Sequence, residues 1–400
     1  MDLTLDRRPG NLATAEGKMV LAVADVNWFS TENLFREVRR ESVSTLLLSC
    51  MDYRNAWRKG QRPWTTWGAP LRSSGLRHWR QDLVLPSGWM KSFPNLGMRP
   101  IARAVKTWRR SAAPDGPLTL VMTYPYYAVL RDQLAPDRSV YLNLDDYGLY
   151  WPEHADEIRA LERRVVRDSD LTVCVSRCRA EQLRAAVPEA AGRIRHLPHG
   201  APAALIAERP WHLPAPAPDD LADRPSPLLG YIGSMEDRVD WPLLTRLAAE
   251  FPDASIILIG RPVPEGAGGG WVEDYRRCVA RPNVHVLGWR TQESLAGYYR
   301  ALDVTLIPYR TDHPFNQSCC PTKIMDGMGS GRPIVSTDLP ECRLYGNLLD
   351  VAADADAFVG MVRALLDAGS DDGQAAARHD HAVQNTCAAV VHRLLDMIPG

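Results

Sequence analysis

Nothing in the 400 residues approaches the run of about 18 apolar residues that a membrane-spanning helix needs. The segment Met1 to Lys18 is polar and lacks the apolar stretch of a secretory signal, so no export is expected. Metal-ligand spacing is also missing among the eight cysteines. Cys174 and Cys178 are four apart, Cys319 and Cys320 are adjacent, and no C-x-x-C pair occurs. Free thiols in a reducing compartment are expected. There is no excess of one charge: 47 Lys and Arg face 48 Asp and Glu, which excludes a general attraction to nucleic acid. The expected location is the cytoplasm, peripherally on the inner face of the cytoplasmic membrane.

What the chain does contain is length and alternation. Four hundred residues exceed the reach of one hydrophobic core, so two domains are expected. Buried-strand candidates recur at 19–25, 43–49, 82–86, 118–124, 140–145 and 171–176, with helical patterns at 30–40, 101–110, 153–167 and 177–187 between them. Past residue 227 the alternation resumes: strands at 228–233, 254–259, 283–287 and 303–309, and helices at 240–250 and 291–301. Alternation of this kind predicts α/β architecture with two Rossmann-like, doubly wound domains facing a cleft. The expected division is 1–209 for the first domain, a stiff proline-rich connector at 210–227, a second domain at 228–375, and a C-terminal helix at 376–400. The glycine run 266–270 lies between strands and reads as a surface loop.

The most informative stretch runs from Asp303 to Asp338. An apolar strand ending at Tyr309 is followed by a polar loop, then Pro321-Thr-Lys-Ile-Met-Asp326, then Gly331, Pro333 and a second strand at 334–337. Pro321 suits a first helical position. Lys323 would then stand in the first turn, where free N–H groups, the positive helix end and an ammonium attract phosphate. Asp326, three residues on, falls on the same side and can accept hydrogen bonds from a ribose. A lone Lys-x-x-Asp is ordinarily an exposed pair; the surrounding strand–loop–helix–strand grammar favours a nucleoside diphosphate.

Residues 321–337 resemble the donor-binding element of GT-B glycosyltransferases, in particular the family 4-like enzymes of bacterial surface-polysaccharide assembly, worded P-L-K-L-x-E-Y-L-A-x-G-K-P-V-V-S-T. The likeness extends over residues 226–340, with Leu229-Gly-Tyr-Ile-Gly-Ser-Met235 as the first donor-domain strand and turn. Two departures stand out. Asp326 replaces the usual glutamate, and Ser318 stands where the earlier acid of an E-x7-E pattern would fall. In such proteins the last helix crosses back to the first domain, and the helix end and cations, without a metal, meet the departing diphosphate.

The remaining donor-side candidates are Gly233, Ser234 and Met235 at a strand end, Arg238 as a second cation, Arg290 as a flank for the base, and Tyr309, Pro321 and Thr322 around the loop. Asp145 and Asp146 close a first-domain strand, and one of the two is expected to face the cleft as a catalytic base. Asp146 also matches the base position of the xanthan glucuronosyltransferase, with Tyr147 inserted before Gly148-Leu149. Residues 54–110 hold thirteen Lys or Arg against the single acid Asp82, with Trp57, Trp64, Trp67, Trp79, Trp89 and Trp108 interleaved. That mixture suits an anionic membrane surface. The expected function is transfer of a sugar from a nucleotide diphosphate sugar, needing no cofactor, to a glycan or polyprenyl-linked acceptor. A sugar-nucleotide epimerase of the same fold, or a non-catalytic nucleotide-sugar-binding protein, is the alternative.

Overall fold

The computed structural model describes residues 19–38, 41–58, 71–75, 77–85, 94–113, 116–207 and 217–400. Trp64, Trp67, Trp89 and residues 210–216 of the proline-rich connector lie outside these residues.

The first sheet has eight strands: β1 Met19–Ala24, β2 Val43–Asp52, β3 Arg72–Gly75, β4 His78–Leu85, β5 Leu118–Met122, β6 Arg138–Asn143, β7 Leu171–Cys174 and β8 Ile194–His196. Their order is β3-β4-β2-β1-β5-β6-β7-β8, parallel throughout except for β3, which pairs antiparallel with β4 at the edge. The second sheet runs β11-β10-β9-β12-β13-β14 and is wholly parallel. Its strands are β9 Leu228–Ile232, β10 Ser255–Ile259, β11 Val284–Gly288, β12 Val304–Ile307, β13 Ile334–Thr337 and β14 Asp350–Ala352. β9 and β10 are buried at every position, as parallel strands covered on both faces must be.

Three local expectations need correction. The glycine run is not wholly loop, because Gly270 is the first residue of the helix Gly270–Val279, with Gly269 at its cap in a left-handed conformation. Part of the proline-rich connector is also ordered: Asp219–Ala222 is a helical turn whose Leu221 is buried against the second sheet. The C-terminal helical pattern splits in two, Ala375–Gln384 and Cys387–Met397, because Thr386 turns outward to cap the last helix by accepting from the Ala389 N–H at 3.1 Å.

The chain passes between the sheets twice, and the passages touch. Ala201 N–H donates to the Asn385 carbonyl at 2.8 Å, and Cys387 N–H donates to the Ala201 carbonyl at 2.9 Å. A Cβ on Gly200 would lie 2.7 Å from the Cys387 nitrogen, so only glycine permits this approach. The last helix then buries Val390, Val391, Leu394 and Leu395 in the core of the first sheet. Further contacts join the domains beside the cleft. Glu341, 2% exposed, follows β13 and accepts from the Arg177 N–H at 2.9 Å, and its other oxygen lies 3.0 Å from His196 Nε2. Across the opening Asn33 Nδ2 donates to Gln292 Oε1 at 2.9 Å.

Candidate functional site in the cleft

Both sheets direct the carboxyl ends of their strands at one cleft of about 410 Å³. In doubly wound sheets ligands bind at this edge, where the strand order reverses. In the second sheet that point lies between β9 and β12, the strands leading to Gly233 and Tyr309.

The cation wall is built on this side. The short helix Lys323–Met328 begins two residues later than expected: Pro321 precedes it and Thr322 is its cap residue. Lys323 reaches back over the strand ends, donating to the Tyr309 hydroxyl at 2.7 Å, with its ammonium 5.3 Å from the Tyr231 ring centre and 5.2 Å from that of Tyr309. Room for it comes from Gly233, where a Cβ would lie 2.3 Å from Lys323 Cε. Arg238 stacks over Phe315 at 4.5 Å and pairs with Glu236 at 3.2 Å. Burial pushes the Asp326 carboxyl up to about 7, against the pull of the Lys323 charge and the Thr322 hydroxyl. Gly233, Ser234, Arg238, Tyr309, Pro321, Thr322, Lys323 and Asp326 all line the cleft.

Two donor-side candidates do not. Met235 is buried in the core of the second sheet, and its side chain packs there. Arg290 is engaged elsewhere: it donates to Asp220 at 2.5 Å and to the Tyr298 hydroxyl at 2.8 Å, outside the cleft lining.

On the first-domain wall the adjacent acids part company. β6 ends at Asn143, so Asp145 and Asp146 occupy a turn. Asp146 accepts from the Gly148 N–H at 3.1 Å and from Arg179 at 3.3 Å, as a cap with a buried cation behind it. Asp145 lines the cleft and accepts from the Tyr150 hydroxyl at 3.0 Å. Burial pushes its carboxyl up to about 7, while Tyr150, Arg238 and Arg179 pull it down and Asp146 adds to the rise. Tyr150 meets the opposite domain edge-on, 5.2 Å from the Phe315 ring. Beneath the turn lies a buried network. Arg179 donates to Glu162 at 2.6 Å, and Asn143 Nδ2 donates both to Glu162 at 2.8 Å and to the Asp145 carbonyl at 3.0 Å.

Sequence reasoning missed His199, Tyr150, Phe315 and Cys319, all of which line the cleft. Burial pushes the His199 imidazole down to about 4, so it is neutral at pH 7. The Pro198-His-Gly200 turn at the crossing between the domains was the available signal. Among the described residues no group of His, Cys, Asp and Glu could hold a metal ion.

Residues 226–368 match the family model of glycosyl transferases group 1. A relative, TuaH of Bacillus subtilis (strain 168), assigned to teichuronic acid biosynthesis as a glycosyltransferase, is 23% identical over 46% of this chain and 44% of its own. The chain thus aligns with less than half the length of that relative. Sucrose-phosphate synthase from Thermosynechococcus elongatus superposes with a TM-score of 0.69 at 14% identity, over 95% of this chain and 98% of that one. Anabaena HepE, solved in complex with UDP and glucose, superposes with a TM-score of 0.63 at 12% identity over the same shares of the two chains. At these identities the likeness is one of fold.

Proposed function

We propose that this chain, which has the GT-B fold and whose second domain matches glycosyl transferases group 1, transfers a sugar from a nucleoside diphosphate sugar to an acceptor held by the first domain. One observation carries the reading. A single cleft at the carboxyl ends of both sheets holds two stacked cations, Lys323 and Arg238, on one wall and a half-buried carboxylate, Asp145, on the other. The cations stabilise the charge that develops on the departing diphosphate. Asp326 receives the ribose hydroxyls. HepE, of the same fold, is solved with UDP and glucose, which supports a diphosphate at this edge. Calorimetry with UDP, GDP and dTDP, followed by an assay for sugar release from the bound donor, tests the reading. Failure of all three diphosphates to bind would refute it.

Asp145 is the proposed base for an inverting reaction, taking the proton of the acceptor hydroxyl, and Asp146 holds the turn that presents it. In a retaining reaction an oxygen of the diphosphate takes that proton and Asp145 only orients the acceptor. A carboxyl near 7 is a competent base only above that pH, so the inverting route predicts kcat/KM rising with pH through about 7. Asp145→Asn then loses roughly 100-fold or more in kcat, the low end of what general-base catalysis contributes. A pH profile unchanged by the substitution would assign the proton to the diphosphate.

For Asp326 the expected pattern is different. Asp326→Ala weakens nucleoside and nucleoside diphosphate alike, by roughly 1 kcal/mol for a lost hydrogen bond, whereas Asp326→Glu retains binding. Isothermal titration with uridine and UDP, or the preferred pair, separates the cases. A loss confined to the diphosphate would reassign the residue.

The acceptor side is proposed to dock on an anionic membrane surface, where a polyprenyl-linked glycan would lie. Of the described tryptophans in the basic stretch, Trp108 is core at 1% exposure and Trp79 packs on it at 5.9 Å, but Trp57 is 62% exposed. The helix Arg99–Ala112 supports docking, since Arg99, Arg103, Lys106 and Arg110 form one exposed face free of acids. No described helix is long and apolar enough to cross a membrane. Each basic residue near an anionic leaflet adds about 1 kcal/mol. Flotation with anionic but not neutral liposomes, abolished by salt, is the expected result; no flotation at low salt removes this part of the proposal.

A further inference from the structure

The segment 313–320, which leads from the β12 loop toward Pro321 and Lys323, turns its polar side chains away from the cleft. Asn316 Nδ2 donates to the Arg238 and Arg310 carbonyls at 3.0 and 2.9 Å. Gln317 Nε2 donates to the Thr311 carbonyl at 2.7 Å, and the Ser318 hydroxyl donates to the Phe315 carbonyl at 3.2 Å. His313 accepts from the Phe315 N–H at 3.3 Å. Ahead of Pro321 the segment gives the cleft only Phe315, Cys319 and Cys320.

This apolar wall lines the cleft together with the charged groups of both domains. The Cys319 thiol is pushed up to about 12, first by burial and then by the Asp145 carboxylate, while Arg238 and Lys323 act in the opposite sense. Cys319 lines the same cleft as the two proposed diphosphate cations, Arg238 and Lys323, and the proposed acceptor carboxylate, Asp145. Phe315 touches both walls, stacked by Arg238 at 4.5 Å and met edge-on by Tyr150 at 5.2 Å. A sugar on the distal phosphate, with its anomeric carbon toward Asp145, has to lie against these side chains.

We propose that the donor sugar is a deoxyhexose, with a methyl group where a common hexose carries its C6 hydroxymethyl, and that Cys319 and Phe315 select it. The inference rests on the donor-site reading above. A hydroxyl pressed against a ring and a buried thiol loses its water and finds no strong partner, whereas a methyl loses nothing. Selection of this kind is modest, because an apolar pocket rejects an added hydroxyl by no more than about 100-fold. The wall has no carboxylate that would hold a hydroxylated sugar in the same place, Ser318 being turned inward.

The test uses donor pairs that share a nucleotide and differ only at C6, on the chain as it stands: UDP-glucose with UDP-6-deoxyglucose, GDP-D-mannose with GDP-D-rhamnose, and dTDP-glucose with dTDP-6-deoxyglucose. The pair is chosen by which bare diphosphate binds in calorimetry. The 6-deoxy donor is expected to bind about 10- to 100-fold more tightly than its hydroxylated partner. Cys319→Ser, which offers a hydroxyl at nearly constant volume, is expected to narrow that ratio several-fold. Equal or tighter binding of the hydroxylated donor, by a protein that binds the bare diphosphate, overturns this proposal and leaves the donor site standing. Absence of binding by every diphosphate overturns both. Should Cys319→Ser fail to fold, the comparison of the paired donors on the unaltered protein decides alone.

Discussion

Lys323→Ala is expected to weaken nucleoside diphosphate binding by about 1.5–3 kcal/mol, the range for a hydrogen bond to a charged group. The ammonium lies against two tyrosine rings and donates to the neutral Tyr309 hydroxyl at 2.7 Å, so among the described residues it is held in place without a carboxylate in contact. An anion arriving there gains most of the interaction. The same geometry makes position 233 sensitive: a methyl on Gly233 would lie 2.4 Å from Nζ and drive the ammonium from its seat. Gly233→Ala should therefore lose part of the same affinity with Lys323 intact, the remainder surviving because the side chain is flexible. Titration calorimetry on both variants reads the effect. Wild-type affinity in folded Lys323→Ala would take the diphosphate away from this wall.

The largest expected loss of stability belongs to Arg179→Met. Arg179 and Glu162 are 5% and 4% exposed and meet at 2.6 Å, and the same guanidinium reaches Asp146 at 3.3 Å. Burial pushes the Glu162 carboxyl up while Arg179 and Tyr141 hold it down. Removing the cation leaves Glu162 as an uncompensated buried charge, a defect that costs about 3–5 kcal/mol. Much of that should return in the double variant Arg179→Met, Glu162→Gln, since the amide needs no counter-charge and keeps Tyr141 and Asn143 as partners. Urea unfolding of the two variants gives the comparison; equal losses would show that packing, not charge, is at stake. Because Asn143 also holds the Asp145 carbonyl, Arg179→Met should disturb the cleft acid as well.

The second sheet was legible because a parallel strand buried on both faces writes itself as a continuous apolar run, as Ser255–Ile259 does. The edge strand β3 was not, and β4 was read only from Asp82 onward, since neither strand is apolar along its length. Lys323 and Asp326 were singled out by the grammar of their loop and Arg238 by its place just past the end of β9, and all three line the cleft. Arg290 was misplaced because its partner Asp220 lies 70 residues away and no local pattern announces it. The choice between Asp145 and Asp146 was beyond strand alternation, because both follow the last residue of β6, where alternation has ceased to apply. The hydroxyl-poor wall at Phe315 and Cys319 was also hidden. Its polar neighbours look solvent-facing in sequence, and only their hydrogen bonds show them turned inward.

The double crossing at Ala201 and Thr386 bears on how the chain comes to be folded at all. The first sheet is complete by residue 196, yet its core includes Val390, Val391, Leu394 and Leu395 from the last helix. During synthesis the first half of the molecule leaves the ribosome with an apolar groove beside the helix Phe29–Arg36 that nothing fills until nearly 200 further residues have followed. A polypeptide halted before residue 387 would carry an intact second sheet and an open first one, so the helix Cys387–Met397 closes the core that β1 and the helix Phe29–Arg36 began.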